Sequence, residues 1–233
     1  RRRGRSECHG SRRRGRGHRR PGRDLRQRPG DQAQDLLVAG DVALGSHDMR
    51  DARGGLNVGS GPWGLNLHAQ HRRSDNYRDN NRSEQDMVNG EWRYVGDAGH
   101  LALRFGADDQ RARLPGPRTE AQLKTDPRGT ATPNDFANSR SEQAGLYGEH
   151  RLGQVTLAAD VSQRRRKSSD YFDFGFGTSQ SDAVVTTTAV SPRLHWNAML
   201  AGMANRLTAG IDWSEWTFGK DFVTTFGNRD ETG

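Results

Sequence analysis

From about residue 64 onward, apolar and polar side chains alternate along the chain with a period of two. Leu65, Leu67 and Ala69 alternate with polar residues, and the pattern recurs three more times. Successive side chains of a β-strand point to opposite faces of its sheet, so this pattern predicts strands with one apolar face and one polar face. The later examples lie at 101–107, 155–161 and 207–213.

A compact connector precedes each of these strands and follows a weaker strand upstream, the first of them near 49–59. Two strands joined by a short connector form a β-hairpin. The sequence therefore predicts four hairpins, with connectors at 60–64, 96–99 and 152–154 and a slightly longer turn at 197–205.

The opposite strand ends carry long polar segments. They lie at 74–83, at 112–138 with four Pro, and at 164–182, which mixes charge with Gly and aromatic residues. Long loops are uncommon in compact soluble domains, whereas bacterial outer-membrane barrels combine short periplasmic turns with long extracellular loops. We therefore predict an all-β fold, a partial antiparallel transmembrane β-barrel of about nine or ten strands within 36–233.

The composition of the chain is compatible with this fold. Of its 233 residues, 31% are hydrophobic and 28% are charged, which is poor material for a dry globular core. A disordered chain tolerates that balance, and so does a barrel with a wet lumen and wet loops. No run approaches 18 apolar residues, which excludes a helical membrane span. Cys8 is the only cysteine, so the chain can form no internal disulfide.

Residues 1–35 form a separate Arg- and Gly-rich tail. The first 28 contain thirteen Arg against Glu7 and Asp24, a net charge of +11, so the total of +7 leaves about −4 for the rest. The tail could bind nucleic acid, be a disordered extension, or result from out-of-frame translation. It has no aromatic interleaving and no motif, so we favour disorder or artefact and expect no nucleic-acid partner. It also lacks a signal peptide, so we expect the start of the gene product to be missing or altered.

Aromatic residues cluster near the predicted strand ends. Amphipathic rings at such positions form the aromatic girdle of a membrane barrel, although half-buried rings on a soluble sheet are an equally good reading of any single one. The candidates are Trp63, Trp92, Tyr94, Trp196, Trp213 and Trp216.

No catalytic or metal-binding constellation is visible in the sequence. His68 and His71 differ in strand parity, so they should point to opposite faces and not share a metal ion. Asp170, Asp173 and Asp182 have no fixed spacing, which favours a charged loop over a cation site. We expect no enzyme activity, no cofactor and no bound metal.

Several short segments resemble TonB-dependent outer-membrane receptors. Val42, Gly45, Ser46, the Arg-Gly-Gly-Leu-Asn run at 53–57 and the Trp-Gly-Leu run at 63–65 are similar to the first barrel hairpin of that family. Three further runs are similar to an extracellular loop of its ferric-siderophore receptors: Leu-Pro-Gly at 114–116, Ala-Gln-Leu at 121–123 and Thr-Asp-Pro-Arg at 125–128. The resemblance covers about residues 40–226.

The resemblance implies energy-coupled uptake of a scarce ligand through a 22-stranded barrel occluded by an N-terminal plug. The sequence pairs typical of haem receptors, Phe-Arg-Ala-Pro and Asn-Pro-Asn-Leu, do not occur, which favours a ferric siderophore. No plug, coupling box or aromatic C-terminal strand is recognisable, so we expect this chain to be a barrel fragment. Its expected partners are outer-membrane lipid, lipopolysaccharide and the siderophore, with the TonB complex joining only in the full-length protein.

Two groups of basic residues in the predicted extracellular loops could attract an anionic ferric chelate. Solvated loop charges or lipopolysaccharide contacts are an equally good reading of them. Two other functions stay open: a passive outer-membrane porin or adhesin, and a soluble nucleic-acid-binding protein that uses the tail. The candidate ligand-facing residues are Arg111, Arg113, Arg118, Arg164, Arg165, Arg166 and Lys167.

Overall fold

Residues 35–226 are described by a computed structural model, in which they form one antiparallel sheet that is not closed. This confirms the predicted fold class, whereas the tail lies outside the described residues. The elements are β1 (Asp35–Gly45), β2 (Met49–Ser60), β3 (Trp63–Ser74), β4 (Ser83–Gly96), β5 (Gly99–Arg113), α1 (Glu120–Thr125), β6 (Phe136–Leu152), β7 (Val155–Asp173), β8 (Gly177–Leu200), β9 (Met203–Gly210) and β10 (Trp213–Phe226).

Strands β1 to β8 pair in chain order, and both β9 and β10 then pair with β8. Gly210 of β9 lies opposite Arg193, and Trp213 of β10 lies opposite Val190, so the two pairings keep one register. The interruption falls opposite Pro192, which has no backbone N–H to donate to a ladder. The last two elements are therefore one strand with a break, and the expected nine or ten strands are confirmed.

Two-residue turns join the strands at one end of the sheet, which we call the short-turn end. They lie at 61–62, 97–98, 153–154 and 201–202. Gly61, Gly153 and Gly202 have φ of 54°, 62° and 76° there, values that suit glycine because it has no Cβ. Three predicted turns are confirmed. The fourth is shorter than predicted, because β8 continues to Leu200 before it reverses.

The other end of the sheet, the long-loop end, carries a first long loop at 75–82 and a second at 114–135. These agree with the first two predicted loops. The third prediction is wrong, since β7 and β8 are joined by residues 174–176 alone. The polar segment at 164–173 is strand because it hydrogen-bonds to β6 on one side and β8 on the other.

One face of the sheet is apolar along an unbroken row of directly paired residues. Directly opposite residues of an antiparallel pair share a face, so the row can be followed from strand to strand. The opposite face carries polar residues at the neighbouring positions, for example Asn57, Asn66, Glu91 and Arg104. The apolar row runs Leu36, Val58, Leu65, Trp92, Leu103, Leu146, Val161, Val190 and Trp213.

This row is staggered relative to the short-turn end. It lies two residues before the end of β2 at Val58, four before the end of β4 at Trp92, six before the end of β6 at Leu146 and ten before the end of β8 at Val190. A progressive stagger of this kind accompanies the strand tilt of a barrel wall.

The described residues contain almost no dry core. Ala102, at 5% exposure, is the one buried hydrophobic side chain among them, while Leu103 beside it is 40% exposed. Burial therefore requires something that covers the apolar face. No helix in the described part of the chain has the length and apolar character needed to cross a membrane.

Candidate functional site

The two long loops are joined to each other at the long-loop end. Arg78, in the first long loop, donates to three carbonyl oxygens of the second: Gly116 at 2.8 Å, Pro115 at 3.0 Å and Gly129 at 3.1 Å. A guanidinium offers five donors in a rigid fork, so one side chain can bridge several turns of another loop.

Asn80 provides a second connection between these loops. Its side-chain amide donates to the carbonyl oxygens of Thr132 at 2.6 Å, Leu114 at 3.0 Å and Asp135 at 3.0 Å. The residue has φ of 50°, a conformation that Asn adopts more readily than most residues. Together the two side chains fix the second long loop over the sheet end.

The short helix α1 forms the exposed part of the second long loop. Thr119 and Gln122 cap it reciprocally, with Gln122 N donating to Thr119 Oγ1 at 3.3 Å and Thr119 N donating to Gln122 Oε1 at 2.9 Å. Behind it, Arg118 pairs with Asp126 at 3.4 Å and its side chain is only 9% exposed. Arg118 therefore connects the two ends of α1, and its predicted ligand-facing role stays a prediction.

The basic run on β7 is divided between the two faces of the sheet. Arg165 lies four residues beyond Val161, so it shares the apolar face with Lys167, whereas Arg164 and Arg166 lie on the polar face. Within residues 35–226 none of the four forms an ion pair, although Arg166 Nε donates to Ser139 Oγ at 3.0 Å. The sequence-based prediction grouped four residues that the sheet separates.

Arg111 and Arg113 lie in β5 and not in a loop, which corrects their predicted placement. Both share the apolar face of the sheet, beyond the apolar row. Arg111 pairs with Asp109 at 3.2 Å, and the Arg113 guanidinium lies 5.6 Å from the centre of the Phe136 ring. Neither points toward the polar face.

Several other charges on the polar face are paired. Arg104 contacts Glu91 at 3.3 Å and Asp160 at 3.6 Å, and Arg53 contacts Asp51 at 2.7 Å. The opposite charges of such a pair largely cancel, so the pair exerts little electrostatic attraction on a solute. Arg164 and Arg166 are two of the cations on this face that form no ion pair within the described residues, and they lie toward the long-loop end; the others are Arg72, Arg93, Arg151, Arg206 and Lys220.

A cluster of acidic and basic groups stabilises the turn between β1 and β2 at the long-loop end. Asp48, in the turn at 46–48, contacts Arg50 at 2.7 Å and Arg73 at 3.3 Å. The hydrogen bond from Arg50 holds the pKa of Asp48 below its ordinary value. This turn therefore stays ionised and paired at neutral pH.

One group of neighbouring side chains, on β3 and β4, was not predicted from the sequence. His71 and His68 do lie on opposite faces, as predicted, but His71 Nδ1 is 2.6 Å from Asp86 Oδ1 of the next strand. Glu84 completes a group whose ligand atoms lie within 4.8 Å of one another, all solvent-accessible. Only the strand register brings these three together, and the register was not available from the alternation pattern.

The aromatic candidates are divided between the two faces of the sheet. Trp63 packs against Trp92 and Tyr94 with ring centres 5.1 Å and 4.4 Å apart. These three share the apolar face with Trp196 and Trp213, as a girdle requires. Trp216, by contrast, lies on the polar face. The reason is spacing, because residues three apart on one strand point to opposite sides.

The comparisons with known proteins show similarity in fold alone. No family model matches the sequence, and no curated protein matches it either. Among solved structures, the ferric citrate transporter FecA matches 84% of this chain with a TM-score of 0.67 and 16% identity. BauA, the ferric preacinetobactin receptor of Acinetobacter baumannii, matches 83% with 0.63 and 9%, and Fiu, the ferric-catecholate import receptor of E. coli K12, matches 79% with 0.63 and 14%.

The chain therefore has the fold of an outer-membrane β-barrel wall. More particularly, its fold is similar to part of the barrel of TonB-dependent ferric-siderophore receptors, which confirms the sequence-level resemblance in fold. The chain spans only 31–34% of the length of these three proteins.

Proposed function

We propose that this chain forms part of the barrel of an outer-membrane receptor that takes up a ferric siderophore, with the TonB complex supplying energy to the whole protein. The observation that carries the proposal is the division of one sheet into a continuous apolar face and a polar face, in the fold of ferric-chelate receptors. In this arrangement lipid covers the apolar face and the polar face lines the lumen. The chain acts by binding and passage, not by catalysis.

The long-loop end is the extracellular side in this proposal. Loops of an outer-membrane barrel are longer outside the cell than in the periplasm, and the first and second long loops here are fixed to each other by Arg78 and Asn80. Arg164 and Arg166 lie on the lumen face toward that end. Two unpaired guanidinium groups provide a field that attracts an anionic chelate.

The first test is whether the full chain needs a bilayer to fold. We expect β-sheet circular dichroism and protease resistance to appear in phosphatidylcholine vesicles or detergent micelles and not in aqueous buffer. The apolar row is the reason, because no second layer of protein covers its side chains within the described sheet. A soluble, cooperatively folded monomer in buffer would overturn the proposal.

The second test addresses the ligand. Ferric citrate and a ferric tricatecholate are titrated into the reconstituted full chain, and quenching of tryptophan fluorescence is followed. We expect saturable binding that weakens in the double variant Arg164→Ala, Arg166→Ala and persists in the control Arg165→Ala, Lys167→Ala. Absence of saturable binding of either chelate would favour a passive porin or adhesin.

A further inference from the structure

Beyond the apolar row, β10 inverts the usual distribution of side chains between the two faces of the sheet. Its next apolar-face positions hold Glu215 and Thr217, whereas its polar face holds Trp216 and Phe218. Both rings are more than half exposed, at 68% and 54%. The described sheet therefore leaves two large aromatic side chains uncovered on the face that the proposed function assigns to the lumen.

Lipid is not the partner of these two rings. On the apolar face, the first row beyond the apolar row is polar, so the apolar band of β7, β8 and β10 ends there. The members of this polar row, paired directly across the three strands, are Gln163, Thr188 and Glu215. Trp216 and Phe218 lie one and three residues beyond Glu215, on the opposite face and toward the long-loop end.

The strand register places two guanidinium groups opposite the two rings. Two rows of directly paired residues cross β7, β8 and β10 on the polar face, each with a cation at one end, a β-branched residue in the middle and an aromatic ring at the other end. The rows are Arg164, Thr187 and Trp216, and Arg166, Val185 and Phe218. Neighbouring strands lie about 4.8 Å apart, so cations and rings are separated by roughly 10 Å. The shorter side chains of β8 form a floor between them, and we call these six residues the trough.

The cations of the trough are not neutralised by neighbouring carboxylates. Within the described residues Arg164 and Arg166 form no ion pair, and Arg166 donates its Nε–H to Ser139 Oγ at 3.0 Å. The carboxylates on this face of β7, Asp160 and Asp170, lie four residues before Arg164 and four residues beyond Arg166. The trough therefore has one aromatic wall and one positively charged wall.

A planar aromatic anion fits both walls of the trough at once. A ring placed midway would lie about 5 Å from each wall, within the range of aromatic stacking and of cation–π contact. Ionised oxygens on the edge of that ring would accept charge-assisted hydrogen bonds from the guanidinium groups. An aliphatic anion such as citrate could use the charged wall but would leave the aromatic wall exposed to water.

We propose that the trough selects catecholate chelates, and that Trp216 and Phe218 determine this specificity. The inference rests on the proposed function and adds to it the chemical class of the chelate. A contact of the same kind exists beside the trough, where Lys220 Nζ lies 5.2 Å from the centre of the Phe222 ring on the same strand and face.

The experiment measures how much radioactive iron the full chain retains in phosphatidylcholine vesicles when it is supplied as a ferric tricatecholate or as ferric citrate. Trp216→Leu with Phe218→Leu should weaken tricatecholate binding about 30-fold and leave citrate binding within about twofold of the parent, because only the catechol rings use the aromatic wall. Trp216→Phe with Phe218→Tyr keeps two rings and should retain tricatecholate binding.

Trp213 supplies the matched control, because it lies on the same strand but on the apolar face. Trp213→Leu should change the affinity for neither chelate. Circular dichroism confirms that each variant contains the same β-sheet, so that a lost affinity is not a lost fold.

The outcomes separate this inference from the proposed function. Equal loss of both chelates in the Trp216→Leu, Phe218→Leu variant, or no loss of the tricatecholate, would overturn the inference and leave the proposed function in place. A parent chain that retained citrate alone would do the same. A parent chain that retained neither chelate would reject the proposed function and the inference with it.

Discussion

Arg193 donates from its guanidinium to the carbonyl oxygen of Ile211 at 2.9 Å, in the place where a backbone N–H would normally donate. Ile211 N donates to the carbonyl of Pro192 at 3.3 Å, and in an antiparallel ladder that bond has a reciprocal partner. Pro192 cannot supply it, and the side chain of the next residue does so instead. The Arg193 side chain thus continues the hydrogen-bond ladder of β8 across the break between β9 and β10.

This relationship predicts a coupling between residues 192 and 193. Arg193→Ala should lower the free energy of unfolding by about 1 kcal/mol in the parent chain, because the Ile211 carbonyl loses its donor. In a Pro192→Thr background the restored N–H should reduce that cost. The measurement is a double-mutant cycle from denaturant unfolding of the full chain in lipid vesicles. Strictly additive costs would show that Arg193 does not replace the missing bond.

A second prediction concerns the connection between the long loops. Asn80→Ala should release the second long loop, because three carbonyl oxygens each lose one of their donors and the alanine must hold a φ of 50°. We expect faster amide hydrogen exchange across 130–135, equivalent to about 1–3 kcal/mol of local stability.

Asn76→Ala is the matched control for this prediction. Asn76 also has a positive φ, of 57°, but its side chain bonds to Asn81 and Ser83, at the end of its own loop. Its effect should stay within the first long loop and β4. If the two variants altered exchange in the second loop equally, Asn80 would not be the connection.

A third prediction separates the two faces by fluorescence. In single-tryptophan variants of the full chain, acyl chains brominated near the headgroup or the bilayer centre should quench Trp213 strongly and Trp216 weakly. The reason is that Trp213 belongs to the apolar row and Trp216 lies on the polar face. The other four tryptophans are replaced by Phe in each variant. Quenching of both to the same extent would mean that β10 does not keep this register in a bilayer.

A fourth prediction tests the membrane assignment energetically. Leu146→Lys places a charge on the apolar row and should destabilise the chain in a bilayer by about 2–4 kcal/mol. Gln143→Lys, on the polar face of the same strand, should cost far less. Unfolding of both variants is compared in vesicles. A similar cost for the two would argue that the apolar face is not against lipid.

Strong alternation and tight turns made the hairpins predictable from the sequence. The Gly-Pro turn at 61–62 specifies that the chain reverses direction there. The alternation after Trp63 specifies which side chains of β3 share a face of the sheet. The prediction of strand and loop bounds failed where the alternation stops. The stretch around 164–173 has polar residues on both faces, and its strand character comes from pairing with β6 and β8, which lie elsewhere in the sequence.

The candidate site was less predictable than the fold, for a related reason. The donors Arg78 and Asn80 bind backbone carbonyls, and a carbonyl has no residue type by which a sequence could reveal it. The contact between His71 and Asp86 depends on the register between two strands. The basic run at 164–167 alternates between the two faces of β7, so its four residues do not form the single group that the sequence suggested.

The stagger of the apolar row has a consequence for height within a membrane. Trp92 lies four residues from the short-turn end of its strand and Trp213 lies ten from the start of β9, although the two belong to one row. With tilted strands, six residues correspond to roughly 14 Å of elevation. Residues that are neighbours by hydrogen bonding thus follow an inclined spiral around the wall. The paired residues on the polar face follow the same incline, so a solute that moved along the barrel axis would meet the members of one such row in succession and never all at once.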